Sequence, residues 1–471
     1  MTIKKVGFLA KYKYHSTDGI LMLYRKAMKY IEEFYSREKT KTLIVDGVRQ
    51  CGKTFLIREF GRKNYDVFSE INLLEKPLAK EVLSTSKSSE ELLFRLSAVS
   101  DVKLIPGKTL IFIDEVQEAS DVITWMKFLA EDGRYRFILS GSLLGLELKD
   151  VRSIPVGYAD ILQMYPMDLE EFFIALGMSD AILDHVKDSF IRKRKVDGII
   201  HERLKGLFDL YLIVGGMPEV VQRYLESNNL ADVIEVQKAI INLYRADIAK
   251  YDPDNKLYIR DVFDRIPSEL SKQNRRFIAS SVGPNFRIDR KENSFLWLYD
   301  AGVGMPVFNA AEPRWPLVLS KESTLFKLFL CDVGLLSSMI MGGVQQEILT
   351  GGRSLRMSGI YENYVAQELK SHGHSLYYYN NKKRGELDFL IEDGSSVIPI
   401  EVKSGKGYKR HSAIDNIFDV KEYGLQNGYV VHNENLEVDG KLVYIPTYMV
   451  MFFRKDENVP GIVVPDMKDL T

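Results

Sequence analysis

TLIVDGVRQCGKT, residues 42–54, joins two patterns that reinforce each other. Thr42–Asp46 is nearly continuous in apolar residues, as a strand buried on both faces of a parallel sheet requires. The next eight residues, Gly47-Val48-Arg49-Gln50-Cys51-Gly52-Lys53-Thr54, fit G-x-x-x-x-G-K-[ST], and Phe55–Phe60 continues as a helix. A loop between strand and helix turns backbone N–H groups and a helix N-terminus toward an anion. Gly47 and Gly52 allow close backbone approach, and Val48, Arg49, Gln50 and Cys51 complete the phosphate cradle. Lys53 is placed to reach the β- and γ-phosphates of a nucleotide, and the Thr54 hydroxyl to ligate Mg²⁺. The cofactors this implies are ATP and Mg²⁺.

A partner for the loop lies sixty residues on. Thr109–Ile113 is apolar and ends in Asp114-Glu115. At the C-terminal end of a strand, Asp114 suits direct or water-mediated Mg²⁺ coordination, and Glu115 suits orientation and polarisation of an attacking water. The next apolar strand, Arg136–Ser140, places Ser140 where a polar side chain senses the bound nucleotide, although a turn of small residues reads equally well there. With Asp160–Tyr165 as a further strand and an amphipathic helix over 19–37, residues 1–180 read as an α/β parallel-sheet domain.

Residues 181–345 turn helical: Ala181–Lys195, Ile199–Val214, Ala231–Tyr251 and Leu257–Lys272 carry helical periodicity. A helix running into a short β-wing is expected over 292–332. Glycine pairs at 342–343 and 351–352 mark a boundary. The block 355–471 opens with a helix and continues as strands. Glu386-Leu387-Asp388 should present its two acids on one strand face. Twelve residues after Asp388 comes Glu401-Val402-Lys403, with Glu401 and Lys403 sharing a face. Asp-x12-Glu-x-Lys is the PD-(D/E)XK pattern, in which two carboxylates bind Mg²⁺ while the lysine activates water or stabilises phosphate charge. Pro399 fits that strand only where pairing is light. The bland reading is a hairpin with surface charges.

The runs GVRQCGKT, LIFIDEVQEA and FILSGSLLG, with MYPMDLEEFF (164–173) and YLIVGGMPEVV (211–221), resemble the AAA-type P-loop ATPases of bacteria and archaea. More closely, the chain looks like the two-part family in which this ATPase precedes an uncharacterised domain resembling PD-(D/E)XK nucleases. The resemblance covers residues 20–455. It implies an AAA-type P-loop ATPase domain (1–180), a helical and winged-helix-like domain (181–345) and an α/β restriction-endonuclease-like domain (355–471). It also implies that Glu362, on the helix before the strands, completes the acidic cluster. Where relatives carry Gly-Arg this chain has Gly157-Tyr158, so Arg152 is the candidate for an arginine that stabilises γ-phosphate charge across a subunit boundary. The expected partners are DNA or RNA at the C-terminal domain and further copies of the chain at the ATPase domain.

Composition narrows the classes. Among 471 residues, Lys+Arg 64 balances Asp+Glu 65, so no whole-molecule basic footprint for nucleic acid exists, though Lys382, Lys383, Arg384, Lys403, Lys406, Lys409 and Arg410 flank the second acidic cluster. At ~150 residues per domain the length fits roughly three domains. Two cysteines, Cys51 and Cys331, make no disulfide framework, and both read as structural. No apolar run approaches the ~20 residues of a membrane helix. A cytoplasmic protein without a membrane role is expected. Three functions compete: an ATPase gating a nuclease, an ATP-driven switch whose last domain only binds, and a nucleotide-binding scaffold. Glu115 speaks against the scaffold, because a scaffold needs no water-positioning acid.

Overall fold

A computed structural model describes residues 14–15, 21–119, 121–141, 157–251, 256–272, 297–340, 344–349, 355–405 and 407–455. The chain divides into two units, each assembled from three separate segments. The first takes Met1–Leu183, Arg203–Pro306 and Lys327–Gln367; the second takes Asp184–Glu202, Val307–Phe326 and Glu368–Thr471.

In the first unit a short ladder, β1 (Tyr14–His15) with β2 (Leu21–Met22), precedes helix α1 (Lys26–Arg37). The helix thus starts at Lys26, later than the residue 19 that periodicity predicts. Arg25 is its N-cap in the usual extended conformation, and its side chain makes no capping bond but turns inward to the Cys51 carbonyl. Five strands then form a wholly parallel sheet: β3 (Thr42–Gly47), β4 (Val67–Asn72), β5 (Thr109–Asp114), β6 (Arg136–Gly141) and β7 (Ala159–Met164), in the order β4-β5-β6-β3-β7. Every residue of β3 and β5 is buried, which accounts for their continuous apolar runs. Helices α2 (Lys53–Asn64), α3 (Pro77–Ser84), α4 (Ser89–Val99) and α5 (Asp121–Asp132) follow in the crossovers. Ile44, Ile111, Ile113 and Leu139 from the strands share one core with Leu83, Leu92, Leu96 and Met126 from three of those helices. Burial of each such side chain contributes about 1.5–3 kcal/mol. That core fixes the C-terminal ends of β3, β5 and β6, where the phosphate-type motifs sit.

The middle of the chain is helical, as its periodicity predicts: Gly198–Val214, Pro218–Ser227, Leu230–Tyr251 and Lys256–Leu270. The expected wing takes another form. Its two strands, β8 (Gly304–Ala310) and β9 (Lys321–Leu330), join an eight-stranded sheet, because β8 pairs in parallel with β10 (Tyr377–Asn381). The other strands are β11 (Gly385–Asp393), β12 (Ser396–Val402), β13 (Gly428–His432), β14 (Glu437–Asp439) and β15 (Leu442–Pro446), and the order is β14-β15-β13-β12-β11-β10-β8-β9. β10, β11 and β12 are antiparallel neighbours, whereas β12, β13 and β15 run parallel. Helix Ser412–Phe418 packs on this sheet through Ala413, Ile414 and Ile417, against Leu390, Val430 and Tyr444.

Candidate functional site

Two backbone requirements hold the glycine loop in place. Gly47 passes so close to β7 that a Cβ there would lie 2.2 Å from the Met164 carbonyl oxygen. Gly52 takes φ +93°, a left-handed conformation, and has no side chain to cap the first turn of α2. The N–H groups of that turn are therefore available to an anion. Lys53 is buried, and its ammonium donates to the carbonyls of Gly47 (2.7 Å) and Val48 (3.1 Å).

Asp114, at the end of β5, gathers polar residues from the ends of β4 and β6 and from the first turn of α2. Its carboxylate accepts from the Thr54 hydroxyl at 3.0 Å, the Asn72 amide at 3.2 Å, the Ser140 hydroxyl and the Glu115 backbone N–H at 3.1 Å. The side chains of Thr54, Asp114 and Ser140 thus meet at one place, and Glu115 adjoins them through its backbone N–H. Thr54 Oγ1 and the Asp114 carboxylate are the hard oxygen donors that Mg²⁺ prefers, and the residues fit that ion. Glu115 adopts φ 55°, rare for a residue with a side chain. Burial pushes its carboxyl above the usual carboxylate range, and a hydrogen bond from Gln117 Nε2 at 2.6 Å works against that shift. Arg152, the candidate subunit arginine, lies outside the described residues, as do Ser142 and Lys406.

The loop is also braced by residues that sequence reasoning passed over. Arg25 is buried and donates to the carbonyls of Cys51 (2.9 Å) and Tyr165 (2.6 Å), while its Nε lies 3.2 Å from Glu171. Arg49 pairs with Asp247 at 2.6 Å, and the Tyr244 hydroxyl donates to the Arg49 carbonyl at 3.0 Å. Farther in, Asp332 caps helix Val333–Met339. One carboxylate oxygen accepts from Leu335 N at 2.9 Å and the other from Gly216 N at 2.6 Å. A Cβ on Gly215 would sit 2.3 Å from Asp332, which explains the double glycine of the 211–221 run. The Gly216 carbonyl in turn accepts from Met167 N at 2.7 Å, and the Met167 carbonyl from the Tyr211 hydroxyl at 2.6 Å. Gln367 closes the circuit by donating to that hydroxyl at 2.7 Å and accepting from Val333 N at 2.8 Å. Desolvation pushes the Asp332 carboxyl up to about 6. Leu330–Leu335 and Tyr211–Val221 are therefore two halves of one buried polar circuit.

The second unit brings Asp388 and Glu401 together. Antiparallel pairing sets Phe389 opposite Ile400, which brings Asp388 and Glu401, the residue next to each, to the same end of the ladder. Asp388 Oδ2 accepts from Val402 N at 2.8 Å, and the Lys403 ammonium lies 2.5 Å from Glu401. β11 carries an irregularity that strict alternation did not anticipate. Tyr377 opposes Leu390 and Tyr379 opposes Leu387, leaving an extra residue on β11 beside Asp388, and Leu387 and Leu390 enter the same core. Glu386 instead accepts from the Asn380 amide at 2.6 Å. Pro399 lies inside β12, opposite Leu390, one residue before the ladder to β13 begins. Glu362 belongs to the first unit, where it is buried 3.9 Å from the buried ammonium of Lys327. Among the described residues no helix is long and apolar enough to cross a membrane.

Three family models match the chain: an AAA domain over residues 39–173, a domain of unknown function (DUF8612) over 205–346, and a domain of unknown function (DUF4143) over 357–449. No curated protein matches it. Similar solved structures include the Walker-type ATPase paby2304 of Pyrococcus abyssi, at 14% identity and TM-score 0.44, covering 69% of this chain and 97% of that one. The Aeropyrum pernix ORC1 protein in complex with DNA gives 11% identity and TM-score 0.28, covering 68% of this chain and 92% of that one. C. elegans PCH-2 gives 10% identity and TM-score 0.25, covering 46% of this chain and 63% of that one. Structural likenesses this distant carry no argument. The AAA match, the parallel sheet and the glycine loop after β3 identify the N-terminal region as an AAA-type P-loop ATPase domain.

Proposed function

We propose that the chain binds Mg²⁺-ATP in the cradle formed by residues 47–54 and hydrolyses it, and that this turnover controls a nucleic-acid site in its C-terminal part. The convergence of Thr54, Ser140 and Asp114 at the strand ends beside Lys53 carries the reading. Thr54 and Asp114 would hold the metal, which supplies charge neutralisation between the β- and γ-phosphates when bound. Lys53 exchanges the loop carbonyls for phosphate oxygens, so the loop opens only when a better acceptor arrives. Glu115 orients the attacking water, and Ser140 links the γ-phosphate to Asp114. Arg152 of a neighbouring copy would stabilise phosphate charge, which makes a homo-oligomer the working form.

In residues 355–471 the proposed chemistry is metal-dependent phosphodiester cleavage of DNA or RNA. Asp388 and Glu401 would hold a divalent cation, and Lys403 would stabilise the phosphate. The bond from Val402 N to Asp388, beside Glu401, supports this, and so does the strand irregularity next to Asp388. One observation favours a second reading, in which the last domain binds a partner without cutting: a lysine ammonium already sits 2.5 Å from Glu401, where a metal would compete with it.

A fluorescent ATP analogue titrated into wild type and Lys53→Ala tests the ATP site. The variant should bind about tenfold to a hundredfold more weakly, since a charged hydrogen-bond donor to phosphate is lost. Equal affinity would overturn the assignment.

A further inference from the structure

Gln117 lies two residues past the proposed water-orienting acid, on a single 3-10 turn, Val116–Ala119. That turn is tied back to Glu115 by the bond from Glu118 N to the Glu115 carbonyl, at 3.0 Å. The left-handed backbone at Glu115 is what folds the turn over, bringing the residue-117 side chain beside the residue-115 side chain. Gln117 is 7% exposed, and its Nε2 donates to Glu115 Oε2 at 2.6 Å. Chemistry fixes the amide's orientation, since the flipped amide would set its oxygen against a carboxylate oxygen. Oε1 therefore has to face the other way. It is buried there with no hydrogen-bond partner among the described residues. A buried amide oxygen left unpaired costs about 1–3 kcal/mol, a cost that calls for a partner in the working state.

We propose that Gln117 positions Glu115 for ATP hydrolysis and that its Oε1 accepts the second hydrogen of the attacking water. The inference rests on the ATPase reading above. Water offers two hydrogens and one attacking lone pair. One hydrogen points to the Glu115 carboxylate and the other to Gln117 Oε1, which leaves the lone pair aimed at the γ-phosphorus. As the bond from water oxygen to phosphorus forms, the bond from phosphorus to the β,γ-bridging oxygen breaks. The electron pair leaves with ADP, and the first proton passes to Glu115. Gln117 loses and gains no proton. Its contribution is geometric, and it matters because a shift of about 1 Å in a reacting group can cost on the order of a hundredfold in rate.

The test is steady-state ATP hydrolysis by the full chain, comparing wild type, Gln117→Ala, Gln117→Glu, Glu115→Gln and the double variant Glu115→Gln/Gln117→Ala. Gln117→Ala should lose on the order of a hundredfold in kcat with KM for ATP unchanged. Gln117→Glu keeps the size but puts a second carboxyl against Glu115, and the pair must share a proton that takes Glu115 out of service as a base, so it should fall as far, which guards against a folding defect in the alanine variant. The double variant should be no slower than Glu115→Gln alone, because a residue acting through Glu115 and its water has nothing left to position. A merely structural residue would multiply the two losses. Wild-type turnover in Gln117→Ala, or multiplied losses in the double variant, overturns the Gln117 assignment alone. A wild-type rate no higher than that of Glu115→Gln overturns the ATPase reading and this inference with it.

Discussion

At the end of β5 the Asp114 carboxylate is held by hydroxyls, an amide and a backbone N–H, whereas on β12 the Glu401 carboxylate has an ammonium 2.5 Å away. Neutral donors orient an acid without cancelling its charge, so the first cluster stays an attractive seat for a small divalent cation. A lysine cancels much of that charge, so at the second cluster a metal must displace the ammonium or bring a phosphate that takes it over. The two sites contain similar residues but differ in readiness. Under the proposed function the first would take up a metal–nucleotide complex directly, and the second only with a new partner for Lys403.

The largest effect expected from breaking this contrast is at the second site. Asp388→Ala should reduce Mg²⁺- or Mn²⁺-dependent cleavage of single- or double-stranded DNA or RNA to background while leaving ATP binding intact. Equal background cleavage by wild type and variant, with and without ATP, would discard the nuclease and leave a switch that only binds. At the first site, Glu115→Gln should keep nucleotide affinity and slow hydrolysis by about 10²–10⁴-fold, the usual share of a positioned base. Loss of affinity in that variant would show that Glu115 serves binding instead. The smallest effect concerns Asp332, the acid of the buried circuit in the first unit. Folding raises its pKa from the ordinary carboxylate range to about 6, so between about pH 4 and pH 6 the folded chain holds a proton that the unfolded chain has released. Stability should therefore fall as pH rises through that window, by on the order of 3 kcal/mol for this one group. Urea unfolding of wild type against Asp332→Asn across pH 4–6 isolates the contribution, and parallel profiles would remove it.

What could be read from the sequence was what is local. The glycine loop, Lys53, Thr54 and Asp114-Glu115 follow from a run of residues and from apolar strands whose neighbours cover both faces. Asp388, Glu401 and Lys403 were legible as a spacing, because a hairpin keeps close in space what is close in sequence. Arg25 was invisible, since its partner Tyr165 lies 140 residues away and nothing in the residues around it signals an inward-turned guanidinium. Asp332 had a weak signal, an acid after a continuous apolar run, but Gly216 lies 116 residues off. The wing was misplaced for a related reason. A pair of strands after a helix has the same pattern whether it stands alone or joins a sheet, and β10, the strand that recruits β8, lies far downstream. The irregularity in β11 escaped because an alternating pattern counts residues and cannot see one left over on one side of a ladder.

The division of the chain has a practical consequence for taking the protein apart. Each unit is built from three stretches that interleave along the polypeptide, so no single cut separates them. Shortening the chain after residue 183 would strip the first unit of two of its three pieces, including Asp332 and Gln367 of the buried circuit. A gene fragment ending there would encode an incomplete body rather than a free-standing module. Replacing either unit whole would mean exchanging three stretches together.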